Sequence, residues 1–334
     1  MPATLIILVI LALGFDFLNG VHDSSNIVAT MISSRAMGPR SALAMTSIAT
    51  LAGPFIFGVA VANTIGNGIV SSGTINMLVI IAALCSAITW NILTWLLGLP
   101  SSSSHAMIGG LLGAVLVGAG FKAIIVSGVI KVIIVLFVSP LVGFVAGMLI
   151  ANLIYLVSWR ATPRINTTFK RLQIVTSVGL ALSHGTNDAQ KTMGIITLGL
   201  VISKVIPSFE VPFWVMAACA GAIALGTSVG GWQLIKTLGS KFYKIRPVHG
   251  LASQLTSAAV ILVASLIGGP VSTTQVVSTS IMGVGAAERM SKVRWKVAGD
   301  IALAWVLTIP ATALLAGAIY WLITIAVPFI VHLF

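Results

Sequence analysis

Charge is scarce in this sequence. Aspartate, glutamate, lysine and arginine make up 7% of its 334 residues, whereas hydrophobic residues make up 58%. A soluble domain carries roughly 25% charged residues, and a surface with far fewer would not stay in water. Most of the surface must therefore face lipid. We expect a compact multi-pass protein of the cell membrane, inner or plasma, with no soluble module.

Acidic residues are the rarest charged type, with 6 Asp and Glu against 18 Lys and Arg. The basic residues fall in the gaps between apolar runs, which predicts cytoplasmic loops that follow the positive-inside bias. No basic face interleaved with aromatic residues exists outside those runs, so no nucleic-acid partner is expected. The basic gaps contain Arg35 and Arg40, Arg160–Arg171, Lys236–Arg246 and Arg289–Lys296.

Motifs of enzymes and of ATP-driven pumps are missing as well. The two cysteines, Cys85 and Cys219, lie inside apolar runs in no metal or redox spacing. The Gly-rich stretches at 109–120 and 221–231 lack the Lys-Ser/Thr of a phosphate-binding loop. The pair Ser104-His105 could suggest a hydrolase, but adjacent residues on a helix point apart. We therefore expect neither an enzyme nor a bound cofactor.

Apolar runs fill most of the chain. A spanning helix needs about 20 apolar residues, and several runs are shorter or broken by Gly and Pro. Such interruptions predict discontinuous helices that line a cavity, because exposed backbone cannot face lipid. We expect an all-α fold with about 10–12 membrane segments. The runs lie at 3–20, 41–65, 74–98, 104–120, 122–138, 140–159, 172–186, 192–206, 212–235, 250–268, 275–287, 297–311 and 312–333.

The two sets of runs repeat each other. The segment Asn19–Asp23 aligns with His184–Asp188 at an offset of 165 residues, and Gly98–His105 aligns with Gly268–Gln275 at an offset of 170. Four matches in order at nearly constant offset indicate a duplication into repeat 1–160, a basic linker 161–171 and repeat 172–334. The remaining matches, also at an offset of 170, are Gly113 with Gly283 and Pro140 with Pro310.

Duplicated halves of a transporter often have inverted topology, with the site between them near the midplane. Inversion requires an odd number of crossings in each half. The interval 122–159, which could cross once or twice, leaves that number open. The basic cluster 289–296 would also fall on the outer side in an inverted scheme. We predict two inverted-topology repeats that form one transport domain.

Carboxylates occur inside apolar segments, where a charge costs about 2.5–3.5 kcal/mol to insert. Asp23 and Asp188 occupy matched positions among amides and hydroxyls, while Asp16 and Asp300 have no such match. Oxygen-rich clusters suit a hard cation such as Na⁺, and a buried carboxyl could equally carry a proton. The alternative is a structural polar network. Lys191 shares a helix face with Asp188 and would neutralise it or attract an anion.

Hydroxyl residues form the second matched constellation. Ser101–Ser104 and Val271–Thr274 each follow a proline and precede an apolar run. Free N–H groups and about half a positive charge at a helix N-terminus favour anions such as phosphate or sulfate. Two such termini facing one another would hold a tetrahedral oxyanion. The alternative is plain N-capping of two buried helices.

These motifs strongly resemble those of the short, bacterial form of the PiT-type inorganic phosphate transporter family, over essentially the whole chain. The resemblance rests on Gly20–Asn26, Ser183–Gly194, the twin Ser/Thr segments and Trp305–Pro310. It implies a symporter that imports inorganic phosphate with Na⁺ or H⁺ by alternating access, and some bacterial members carry phosphate as a metal complex. The alternatives are a sulfate symporter of the same family and, less favoured, an ion channel. A homodimer is left open.

The resemblance also implies which residues bind the ions. Each repeat would carry a re-entrant hairpin whose tip holds the Ser/Thr cluster. Asp23 and Asp188 would also bind the metal if Na⁺ or a metal–phosphate complex is carried. The expected ligands are, for phosphate, Ser102, Ser103, Ser104, Ser272, Thr273, Thr274, Asn26, Asn187, Lys191 and Gln275, and, for the coupling cation, Asp23, Asp188, Asn19, Asn26 and Asn187.

Overall fold

The described part of the chain folds into α-helices, many of them long, joined by loops. The structure, a computed structural model, describes residues 3–98, 101–231 and 246–331, without the side chains of Lys292, Val297, Asp300 and 326–331. Predictions for Pro100, for 236–245 and for the Asp300 side chain therefore lie outside it. The helices of these ranges are α1 Ala3–Ser33, α2 Pro39–Phe57, α3 Ala60–Gly68, α4 Met77–Leu96, α5 Ser103–Gly118, α6 Val126–Ser158, α7 Ile165–Ile202, α8 Phe213–Val229, α9 Pro247–Leu266, α10 Thr273–Glu288 and α11 Trp295–Val331.

The longest helices continue through positions where the apolar runs of the sequence are interrupted. α6 crosses once and continues through Pro140. The prediction of separate segments is wrong for 172–206, where α7 continues to Ile202, and for 297–333, where α11 passes Pro310. A helix satisfies its own backbone, so a polar stretch without a strong breaker need not end it. Proline removes one helical hydrogen bond, which packed neighbours tolerate.

A true interruption separates α2 from α3. The chain turns at Gly58, which has a φ of 82°. The side chain of Gln190, from α7, fills the break: its Nε2 donates to Gly58 O at 2.5 Å, and its Oε1 accepts from Val61 N at 2.7 Å. Helix ends buried in protein need such partners for their free backbone groups. α2 and α3 are thus one discontinuous crossing, whereas α1 and α7 are unbroken.

Two hairpins, α4–α5 and α9–α10, return to the end of the molecule from which they start. A Cβ built on Gly118, at the end of α5, would lie 2.7 Å from Val79 in the first turn of α4. Arg246, just before α9, pairs with Glu288 at the end of α10, with 3.6 Å between Nη1 and Oε1. Both hairpins are therefore re-entrant, and their Ser/Thr tips lie in the interior.

Basic segments gather at one end of the molecule, which we call the basic end. Ser34, after α1, donates to Gln173 Oε1 at 2.7 Å, and Gln173 Nε2 donates to Pro247 O at 2.5 Å. The end of α1, the start of α7 and the start of α9 therefore lie together. Because α10 returns to Arg246, the basic cluster 289–296 begins there too. With this hairpin, an inverted scheme no longer places the basic cluster on the outer side.

The inner helix of each hairpin packs against a long helix from the other half of the chain: α5 lies against α11, and α10 lies against α6. A Cβ built on Gly113 would lie 2.0 Å from Ala313 O, and one built on Gly283 would lie 2.0 Å from Phe144 O. Both positions therefore need glycine, because the backbones touch. The two glycines that the sequence pairs thus make corresponding contacts, and each places a helix of one hairpin directly on a long helix.

Many outward-facing side chains are apolar, among them Leu141 and Leu156 on α6, which are 67% and 69% exposed. Within the described ranges, six helices are long and apolar enough to cross a membrane. They are α1, α2, α4, α6, α9 and the Ile301–Ile325 part of α11. The all-α, multi-pass membrane fold expected from the composition is confirmed.

Candidate functional site

The site lies where α1 and α7 cross. The two helices run antiparallel, since Ser34 meets Gln173 at the basic end and Asp16 Oδ1 accepts from Thr192 Oγ1 at 2.5 Å further along. The matched carboxylates, Asp23 and Asp188, therefore come together between these contacts. Both have no solvent-exposed surface. A buried carboxylate without partners would be strongly unfavourable, so the surrounding groups are decisive.

Threonines at the tip of the α9–α10 hairpin join the two carboxylates. Thr273 Oγ1 lies 2.8 Å from Asp188 Oδ2 and 3.2 Å from Asp23 Oδ2. Thr274 Oγ1 donates to Asp23 Oδ1 at 2.8 Å and accepts from Asn26 Nδ2 at 3.0 Å. Asn26 Nδ2 also lies 2.8 Å from Asp23 Oδ1. One hairpin tip thus holds both acids.

Lys191 occupies the other side of the cluster. Its ammonium group pairs with Asp188 Oδ1 and donates to Ser104 Oγ at 2.5 Å and to Val271 O at 3.0 Å. Ser104, at the tip of α4–α5, in turn donates to Val271 O at 3.0 Å. The two hairpin tips therefore touch each other and the carboxylates at a single point.

Two histidines complete the set, and neither is among the ligands predicted from the sequence. His184 Nε2 lies 2.9 Å from Asp188 Oδ2 and 3.6 Å from Asp23 Oδ2. His22 Nδ1 lies 3.2 Å from Asp23 Oδ1. His184 lies one helical turn before Asp188, and this spacing in the sequence could have identified it as a neighbour of the carboxylate.

Several predicted ligands contact neighbours other than the carboxylates. Ser102 accepts from His105 N at 3.1 Å and Ser272 from Gln275 N at 3.4 Å, so both are N-caps. His105 and Gln275 also contact each other, with 3.3 Å between His105 Nε2 and Gln275 Nε2. His105 and Gln275 are the positions that the sequence pairs at an offset of 170, and this contact brings the two helix starts together. No hydrogen bond among the described residues involves the Ser103 side chain.

The predicted asparagines differ in their contacts. Asn187 Nδ2 donates to Ser265 Oγ at 2.8 Å and so anchors the α9–α10 hairpin. Asn19 is buried beside the cluster. Among the described residues, the buried side-chain oxygens of Asn19, Asn26 and Asn187 accept no hydrogen bond. Such oxygens, together with carboxylates and hydroxyls, are ligands that hard cations prefer.

A metal ion would also find donors here. Asp23, His184 and Asp188 each offer one atom, and these atoms lie within 4.8 Å of one another. Two carboxylate oxygens and one imidazole nitrogen suit several divalent cations. The same centre therefore combines a cation-binding set with hydroxyls and two helix N-termini that favour an anion.

Known proteins similar to this chain identify its family. The model of the phosphate transporter family matches residues 19–316. The chain belongs to that family. It is 45% identical over 322 residues to a probable low-affinity inorganic phosphate transporter of Bacillus subtilis, covering 95% of this chain and 96% of the relative. A protein of the same description from Rhizobium meliloti is 46% identical, over 94% and 95% of the two chains.

A solved structure supports the fold of this phosphate transporter family member. It is described as the sodium-dependent phosphate transporter and superimposes with a TM-score of 0.90 at 24% identity, covering 96% of this chain and 99% of that one. The resemblance drawn from the motifs is confirmed, as is the expectation of a transporter rather than an enzyme. A multi-pass member of this family in bacteria lies in the plasma membrane.

Proposed function

We propose that this phosphate transporter imports inorganic phosphate by symport with Na⁺ or H⁺ through alternating access. One observation carries the proposal: a single buried centre joins the carboxylates of α1 and α7 to hydroxyls from both hairpin tips. Thr273, at the α9–α10 tip, links Asp23 with Asp188. Ser104, at the α4–α5 tip, accepts a hydrogen bond from Lys191. A cation on the carboxylates would offset the charge of an anion on the tips, so neither would enter alone.

The arrangement of the hairpins supports alternating access. The α9–α10 hairpin enters from the basic end, where Arg246 meets Glu288. The α4–α5 hairpin enters from the opposite end, where Asn76 at its start lies 3.4 Å from Tyr320 Oη. The tips meet at Ser104 and Val271. Withdrawing one tip would open a path to its own end while the other stays closed.

Within this proposal, Ser103, Ser104, Thr273 and Thr274 hold phosphate, with Lys191 beside them. Ser102, Ser272 and Gln275 order the two helix N-termini, and Asn187 positions the α9–α10 tip. Asp23, with Asn26 and Asn19, holds the coupling cation next to Asp188. If phosphate enters as a metal complex, Asp23, His184 and Asp188 bind that metal as part of the cargo.

Uptake by purified protein in proteoliposomes tests the function. We expect labelled phosphate to accumulate when an inward Na⁺ or H⁺ gradient is imposed, and the sodium-dependent transporter that shares the fold makes Na⁺ the first cation to try. Excess sulfate should compete weakly. Uptake indifferent to both gradients would refute symport, and stronger competition by sulfate than by unlabelled phosphate would identify a sulfate carrier.

Asp188→Asn tests the carboxylate pair. The substitution keeps the shape but leaves Lys191 buried without its anion, a change worth about 3–5 kcal/mol. That cost falls on the stability of the fold. We expect coupled uptake by the folded variant to fall by more than about a hundredfold, the equivalent of about 3 kcal/mol of ion binding lost at the centre. Glu210→Gln, an equal neutralisation at an exposed loop position, is the control and should stay within about twofold. Near-normal uptake by Asp188→Asn in folded protein would remove Asp188 from the mechanism.

A further inference from the structure

The centre consists of two matched half-sites. The first half-site is Asp23, Asn26 and Thr274, and the second half-site is Asp188, Lys191 and Ser104. Asn26 and Lys191 are equivalent residues, at the same offset of 165 that relates Asp23 to Asp188. Each donates to the carboxylate of its own helix and to a hydroxyl of the other repeat's hairpin. The half-sites therefore differ chiefly in one group, an amide in the first and an ammonium in the second.

The ammonium group of Lys191 is surrounded as a bound cation would be. Its partners are a carboxylate oxygen, a hydroxyl oxygen and the carbonyl oxygen of Val271. Lys191 is 2% exposed, so water does not replace these oxygens. Carboxylate, hydroxyl and carbonyl oxygens are also the ligands of hard metal cations. The second half-site thus already holds a positive charge, attached to the chain by four methylenes.

The first half-site has the same kinds of oxygen but no attached cation. Asn26 Oδ1 is buried and, among the described residues, accepts no hydrogen bond. Asp23 and Thr274 supply carboxylate and hydroxyl oxygens beside it. The first half-site thus presents ligands for a cation that is not attached to the chain, whereas the second half-site holds the Lys191 ammonium group.

We infer that Lys191 is a permanent cation of the second half-site, so that the pair of half-sites takes one mobile cation, at the first half-site. The inference rests on the proposed cation-coupled transport and adds its stoichiometry. The role of Lys191 then goes beyond binding phosphate and beyond forming a structural ion pair with Asp188. It replaces a coupling ion that the equivalent half-site must bind from solution.

Lys191→Asn tests this inference, because it gives the second half-site the chemistry of the first. The cation-to-phosphate ratio is measured, at zero membrane potential, from the cation gradient that stops net flux at a fixed phosphate gradient. We expect this ratio to rise by one relative to wild type, and the Hill coefficient for the coupling cation to rise from about 1 to about 2. Na⁺ should also raise the melting temperature of the variant more than that of wild type, since a new site binds only folded protein.

Two further variants complete the experiment. Asn26→Lys is the reciprocal change and should make uptake independent of the cation gradient. Lys204→Asn removes an exposed lysine at the far end of α7 and should leave the ratio unchanged. Should Lys191→Asn fail to fold, Asn26→Lys carries the test by itself, and retained cation dependence in that variant would overturn the inference.

The outcomes separate this inference from the proposed function. Wild-type uptake without cation dependence would refute the symport on which both rest. Coupled wild-type uptake together with a Lys191→Asn variant that changes only the KM for phosphate would identify Lys191 as an anion ligand and overturn the inference alone. A wild-type Hill coefficient of 2 that stays at 2 in the variant would overturn it as well.

Discussion

At the scale of single residues, the Thr273 hydroxyl lies between the carboxylates of Asp23 and Asp188. It lies within hydrogen-bonding distance of both buried carboxylates but has one proton to donate, so at any moment it bonds one of them. Hydrogen bonds to charged groups contribute about 1.5–3 kcal/mol. Thr273 therefore links the two acids through one shared proton.

Thr273→Val removes this hydroxyl while keeping the branched shape. We expect uptake to fall by about ten- to a hundredfold, the equivalent of a charge-assisted hydrogen bond. Thr273→Ser, which keeps the hydroxyl, is the matched control and should retain most of the activity. Initial rates in proteoliposomes, scaled to the protein reconstituted, measure both. Equal losses in the two variants would mean that packing of the methyl group, and not the hydroxyl, is what matters.

The sequence predicts most of these residues, because matched carboxylates and matched hydroxyls stand out in an apolar chain. It does not predict how they pair. His184 contacts both acids only because α1 and α7 cross antiparallel, a fact of tertiary structure. Likewise, Ser102 and Ser272 face their own helix starts, and N-capping and anion binding require the same residue types in sequence.

At the scale of helices, the sequence predicts the hairpin tips better than the long helices. Gly98 and Gly268 have φ values of 64° and 72°, so the Gly-Pro motifs mark true breaks. The polar interval of α7 suggested another break, yet the helix continues because its polar side chains find partners on the opposing helix and the hairpins. Apolar content measures exposure to lipid and not helical continuity.

Gly113 tests the contact between α5 and α11. A methyl group there would overlap Ala313 O, so Gly113→Ala should push the hairpin from its seat and destabilise the fold by about 1–3 kcal/mol. Gly221→Ala, in α8, meets nothing within 4 Å and is the control, neutral or slightly stabilising because alanine favours helix. Melting temperatures of the purified proteins compare them. An unchanged melting temperature for Gly113→Ala would show that the hairpin can shift at little cost.

At the scale of the whole molecule, the contacts support the prediction that the repeats are inverted. The equivalent helices α1 and α7 run antiparallel, and the equivalent hairpins enter from opposite ends. Both helices end in the same way, with a basic residue in the left-handed conformation: Arg35 has a φ of 57° and Lys204 a φ of 56°. The C-terminal ends of the two equivalent helices therefore lie at opposite ends of the molecule.

Arg35 and Lys204 offer a direct test of inversion, because both are exposed and each closes one of the equivalent helices. Single cysteines replace them in a protein whose Cys85 and Cys219 have been changed to alanine. The basic end should face the cytoplasm under the positive-inside bias. We expect a membrane-impermeant maleimide added to intact cells to label Lys204→Cys but not Arg35→Cys.

Permeabilised cells provide the control, in which both cysteines should react equally. A non-equivalent pair on one side, Arg35→Cys and Arg164→Cys, should be protected together, since the start of α7 lies beside the end of α1. Labelling of Arg35→Cys and Lys204→Cys from the same side would contradict inversion. It would also contradict alternating access by paired hairpins, because each tip can close a different side only if the two repeats enter the membrane in opposite directions.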